Sequence, residues 1–204
     1  MGQDNPLVLA GMILAGLVAA RWWWQDFRAA EKDTPDPRAF PGAKPASGRA
    51  LMVAVAGALG LLALETAGEN ALGLTAAQSH VTALFAVYTL VAAFLEELVF
   101  RGYLVVENRG RAALIAGIIG ASLVFALIHP FLWKWEDGAL QVQNTPKAWF
   151  STLWVFAGSL WFYAMRFMPL NPTRSLLPCV AAHMAKNLGV IGIKSAQGFL
   201  AGWW

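Results

Sequence analysis

The chain has 204 residues, 58% hydrophobic and 13% charged, with a mean hydropathy of +0.53. Soluble domains carry roughly 25% charged and 45–50% apolar residues. Disorder and a nucleic-acid arm are therefore excluded, and the single cysteine excludes a disulfide scaffold. A net charge of +3 is modest, and ten tryptophans suit a membrane–water interface. The expected fold class is all-α, a polytopic membrane helix bundle forming one domain over residues 1–204, in contact with the lipid bilayer and not with nucleic acid.

Six low-charge segments follow one another: Leu7–Trp24, Ala50–Leu64, Val81–Leu95, Ala112–Ile128, Ala148–Met165 and Ser175–Ile193. A helix crossing a bilayer needs about 20 residues, so several of them borrow flanking residues or tilt. Met1–Pro6 holds Asp4 and no basic residue, so the first segment reads as a retained helix, not as a signal peptide. Residues 25–49 form a linker, with Pro35, Pro37, Pro41 and Pro45 among charged residues. It carries Arg28, Lys32, Arg38, Lys44 and Arg49.

The loop Glu65–His80 has no Lys or Arg, whereas Glu107–Arg111 and Arg166–Arg174 have two arginines each. In His129–Lys147, two lysines stand against Glu136 and Asp137. Basic loops thus alternate with poor ones, which places the linker in the cytoplasm and both termini outside. The Trp-rich stretch Phe131–Trp149 is expected to line an entrance or to rest among headgroups. Gly57-Ala58, Gly117 and Gly120-Ala121 permit close helix approach in lipid.

Charges within a span are costly and mark functional sites. The third span ends in Glu96-Glu97-Leu98-Val99-Phe100-Arg101. If the helix continues, Glu97 and Arg101 lie four apart on one face and can pair. Glu96 sits about 100° round the helix and is not served by that pair. A carboxylate in a dry, partly unpaired place acts as a base near neutral pH; spacing alone does not choose between the two glutamates. The fourth span ends in Phe125-Ala126-Leu127-Ile128-His129-Pro130, and the sixth contains His183 and Asn187 four apart. Six polar groups on three apolar segments satisfy one another most cheaply if the helices converge. A base, imidazoles and an amide donor are parts for hydrolysis through a tetrahedral intermediate.

Glu-Glu-x-x-x-Arg at Glu96, Glu97 and Arg101, Phe-x-x-x-His at Phe125 and His129, and His-x-x-x-Asn at His183 and Asn187 resemble the motifs of the CPBP family of intramembrane proteases. That family includes the CAAX prenyl proteases of the Rce1 type and bacterial proteins linked to bacteriocin processing or self-immunity. The resemblance covers residues 80–193, a motif-bearing catalytic core. It implies an intramembrane endopeptidase acting on a membrane-embedded or membrane-anchored protein or peptide, in the plasma membrane of a prokaryote. Glu96 would activate water with help from His129, His183 and Asn187 would stabilise the oxyanion, and Glu97 with Arg101 would hold the site together.

Straight antiparallel helices pose a geometric problem. From a turn near Asn108–Gly110, Glu96 lies about 18 Å and His129 about 28–30 Å away. Tilt, a break near Gly102 or a wider turn would close the gap.

Other readings compete. Cys179 and His183 are four apart and invite a nucleophile pair, although a cysteine among apolar groups is usually inert. A non-enzymatic immunity protein, or a transporter-like subunit, would use the same cluster for binding or proton relay. No cofactor is expected. A zinc variant would take Glu96, His129 and His183 as ligands, although the usual His-Glu-x-x-His signature is absent.

Overall fold

Local sequence marks where each helix begins. In the computed structural model, which describes residues 5–32, 34, 36–136 and 138–203, α1 (Pro6–Glu31) starts at Asn5, whose side chain accepts from the Leu7 and Val8 amides. Ser47 caps α2 (Gly48–Ala71), Thr82 caps α3 (Ala83–Glu97) and Thr145 caps α5 (Pro146–Phe167) in the same way. Gly110, at φ 85°, leads into α4 (Arg111–Ile128), and α6 spans Leu177–Ala196. Asp4, Pro35 and Asp137, which entered the reading of the sequence, lie outside the described residues.

Six long helices stand where six segments were expected, and the protein is an integral membrane helix bundle. Pro6–Glu31, Gly48–Ala71, Ala83–Tyr103 and Arg111–Ile128 are long and apolar enough to cross a bilayer. α5 and α6, of similar length, carry many of the buried polar groups. Several helices outrun their apolar stretches. α2 continues through Glu65 and Glu69, assigned above to a loop, because both carboxylates find cationic partners on neighbouring helices.

Packing pairs α2 with α6, α1 with α3, α4 with α5 and α3 with α6. Close approach needs small residues at two of these contacts: a Cβ on Gly189 of α6 would overlap Leu62 of α2, and one on Gly16 of α1 would overlap Val91 of α3. The core joins Trp23 and Phe27 of α1 to Phe94 of α3, Phe162 and Met165 of α5, and Leu176 before α6.

The loops gather at opposite ends, as alternate crossings require. At one end Arg174 pairs with Glu107, Thr173 donates to Pro45 O and Ser175 to Lys44 O. At the other, Glu69 meets Lys147 and Gln78, and Gln78 donates to Gln197. The residues between α1 and α2, Lys32–Ser47, are more than a tether. The Trp23 indole donates to Pro41 O, the Phe40 amide to Asp26, and the Leu176 amide to Gly42 O.

Two irregularities shape the interior. α3 widens into a π-turn over Leu98–Tyr103, and residues 104–110 then run without helix. Extended chain rises about 3.3 Å per residue against 1.5 Å in a helix, so α4 starts well beyond the end of α3. Phe125 in its last turn lies beside Phe100 of the π-turn, ring centroids 5.0 Å apart, which carries His129, one turn further, toward the level of the glutamates. A non-helical connection after a widened turn thus reduces the mismatch between Glu96 and His129. The second irregularity is a β-hairpin between α4 and α5, β1 (Trp133–Glu136) paired antiparallel with β2 (Ala139–Val142). It is a small departure from an all-α chain, inside the stretch read as a Trp-rich loop.

Candidate functional site

α3, α4, α5 and α6 meet around Arg101, which is fully buried. Its Nη1 donates to Glu97 Oε1 at 3.1 Å, and its Nη2 to Ser159 O and Oγ. Ser159 in turn donates to Ser122 on α4 at 2.9 Å. Aromatic faces surround the guanidinium, with Phe125 at 4.5 Å, Tyr163 at 4.8 Å and Phe162 at 5.3 Å. Burying this cation is tolerable because a carboxylate, a carbonyl, a hydroxyl and three ring faces replace water.

The π-turn that carries Arg101 leaves helix carbonyls without their usual partners, and side chains of α5 take them up. Tyr163 Oη donates to Phe100 O at 2.6 Å and to Leu104 O at 3.3 Å. Arg166 Nε donates to Arg101 O at 3.0 Å. In a bilayer such carbonyls need protein partners, and π-turns recur at functional sites.

The adjacent glutamates face different surroundings, as a 100° step round a helix dictates. Glu97 is fully buried and shares Oε1 between Arg101 and His183, whose Nδ1 donates to it at 2.8 Å. Glu96 keeps 30% of its side chain exposed and forms no ion pair with Lys or Arg among the described residues. It faces His183 Nε2 across 3.7 Å, too far for a direct hydrogen bond. The His183 ring stacks on Phe162 at 4.8 Å and meets Phe125 edge-on at 6.0 Å.

His129 ends α4 with an extended backbone, φ −71° and ψ 132°. Its Nδ1 lies 2.6 Å from Phe125 O, so that nitrogen carries a hydrogen, and in the neutral ring Nε2 keeps a lone pair. The ring lies 4.7 Å from Phe125, on which His183 also rests. Phe125 thus borders Arg101 and both imidazoles.

Asn187 stands further along α6. Its Nδ2 donates one hydrogen to Thr89 O of α3 at 3.0 Å, leaving the amide a second N–H. Cys179 is fully buried and donates to Phe162 O, while both nitrogens of His183 face glutamates. The cysteine–histidine pair of the sequence reading is not formed.

The structure therefore gathers Glu96, Glu97, Arg101 and His183, sets His129 beside them across Phe125, and ties Asn187 to α3. The sequence reading passed over Ser122, Ser159 and Tyr163; a hydroxyl inside an apolar span was the available signal. Further polar side chains are buried in the bundle: Lys186, 3.0 Å from Glu65, together with Glu69, Arg166 and Asn171. Among the described residues no three His, Cys, Asp or Glu side chains form a metal-ligand group.

A family model described as Rce1-like, type II CAAX prenyl endopeptidase, matches residues 78–189. The chain belongs to that family, whose model begins just before α3 and ends within α6. No curated protein and no solved structure gives a match.

Proposed function

We propose that this member of the Rce1-like family is an intramembrane endopeptidase in which Glu96 activates water. The observation that carries the reading is the split between neighbouring carboxylates. Glu97 is enclosed by Arg101 and His183, whereas Glu96 is partly open and, among the described residues, has no Lys or Arg partner. A base must reach the proton it removes and must not be neutralised by a fixed cation.

Water held at Glu96 gives up a proton to that carboxylate and attacks the scissile carbonyl. The lone pair on His129 Nε2 is a second acceptor for the water. The oxyanion then needs donors. Asn187 offers its second amide hydrogen, and His183 offers Nε2 when that atom carries a hydrogen, with Nδ1 anchored on Glu97. Arg101 holds Glu97 and so fixes the ring of His183. The proton on Glu96 passes to the leaving amine. None of these steps requires a metal.

The substrate class is a membrane-anchored protein or peptide, and the site of action is the plasma membrane of a prokaryote. Glu96→Gln keeps the size of the side chain and cannot take the proton. In purified protein held in lipid nanodiscs, cleavage of peptides from a membrane digest should fall about 10²–10⁴-fold, the usual loss for a general base. Full activity in Glu96→Gln would overturn the assignment.

A further inference from the structure

Among the described residues, the hairpin that follows His129 has an edge with no partner. Gln143 N donates to Leu132 O at 2.6 Å, one residue beyond the pair Trp133 and Val142. Bonded and non-bonded pairs alternate in an antiparallel ladder. Lys134 and Gln141 are therefore a bonded pair, and Trp133 and Trp135 direct their backbone N–H and C=O groups away from β2. Among the described residues none of these four groups bonds elsewhere.

The same parity sorts the side chains. Trp133, Trp135, Leu140 and Val142 share one face, and Lys134, Glu136 and Gln141 the other, with Lys134 and Glu136 paired at 2.6 Å. The Trp133 indole donates to Leu127 O at 2.8 Å, pinning the hairpin to the end of α4. His129 is already extended, so Trp133 lies within about 13 Å of it along the chain.

A peptide bond inside a transmembrane helix is shielded, and unwinding it in a membrane leaves polar groups without partners. An open strand edge supplies replacements, through the main-chain pairing by which proteins bind extended peptides. We propose that the free edge of β1, at Trp133 and Trp135, pairs with an extended stretch of substrate and delivers the following peptide bond to Glu96 and His129. This rests on the peptidase reading above. It commits the edge to a peptide because lipid offers no row of alternating N–H and C=O groups. A lone two-stranded hairpin is marginal, and a third strand is what it lacks.

The test takes a peptide from a membrane digest that the full-length protein in nanodiscs cleaves in a Glu96-dependent manner. That peptide is resynthesised with single backbone N-methyl groups at successive positions. KM should rise about fivefold, the worth of one hydrogen bond, at every second position and stay flat between. In the protein, Trp135→Pro removes an outward N–H and should raise KM similarly relative to Trp135→Ala, which keeps it. Leu140→Pro on the opposite edge should match wild type. A flat N-methyl profile, or equal KM in Trp135→Pro and Trp135→Ala, with cleavage still lost in Glu96→Gln, overturns the docking edge alone. Absence of any Glu96-dependent cleavage overturns both it and the peptidase reading.

Discussion

The neighbouring glutamates show how one 100° step on a helix separates two roles. Glu97→Gln should fail differently from Glu96→Gln. It removes the countercharge of a fully buried arginine, and stranding a buried charge costs about 3–5 kcal/mol. Thermal melting in detergent should therefore drop clearly for Glu97→Gln and for Arg101→Ala, while Glu96→Gln melts like wild type and loses only cleavage. A Glu97→Gln protein with unchanged melting would remove the ion pair from the argument. Ser159→Ala tests the far end of the same network. It takes an acceptor from Arg101 and a donor from Ser122, a loss of about 1–3 kcal/mol at a buried site. Elemental analysis of the purified protein should find well under one zinc per chain, and cleavage should survive chelation. Stoichiometric zinc with chelator-sensitive activity would contradict the water-and-glutamate chemistry.

The π-turn is the element on which the site depends. It places Arg101 over Glu97, and side chains of α5 donate to the carbonyls it leaves unpaired. Tyr163→Phe deletes the donor to Phe100 O and Leu104 O while keeping the ring beside Arg101. The expected cost is about 1–3 kcal/mol for carbonyls left unsatisfied, read as lower melting, with cleavage lowered as the turn loosens. Unchanged melting would mean that these carbonyls find other donors. This element was invisible in sequence. Nothing in Leu98-Val99-Phe100-Arg101-Gly102-Tyr103 marks a wider turn; only the mismatch between Glu96 and His129 signalled that straight helices would not suffice.

At the scale of the whole molecule, α1 and α2 lie outside the family match, yet they are bound to the core. Glu65 and Glu69 of α2 meet Lys186 of α6 and Lys147 of α5, and the segment after α1 locks onto the loop before α6. Orientation follows from charge: Arg38, Lys44, Arg109 and Arg174 lie in loops at the end where that segment sits. We expect this end to face the cytoplasm. Ser47 caps α2 and is a poor probe position, whereas Arg38 is exposed. Arg38→Cys in a Cys179→Ala background should stay unlabelled by an impermeant thiol reagent in intact cells and react once the membrane is opened. Labelling in intact cells would invert every span.

Composition and pattern alone determined that the chain is a membrane helix bundle. The cost of lipid-exposed polar groups leaves few alternatives for such runs, and caps at Asn5, Ser47, Thr82 and Thr145 are local events. The same cost singled out Glu96, Glu97, Arg101, His129, His183 and Asn187, because charge in an apolar segment needs a reason. What only the tertiary structure decided is which partner each of them takes. Glu97 is enclosed because Arg101 of the π-turn and His183 of α6 both close on it, while Glu96 keeps part of its side chain open. His129 reaches the site because the non-helical stretch after Tyr103 sets the level of α4. Asn187 bonds Thr89 because α6 crosses α3 there. Such choices depend on contacts between residues far apart in the chain, where spacing along a single helix carries no information.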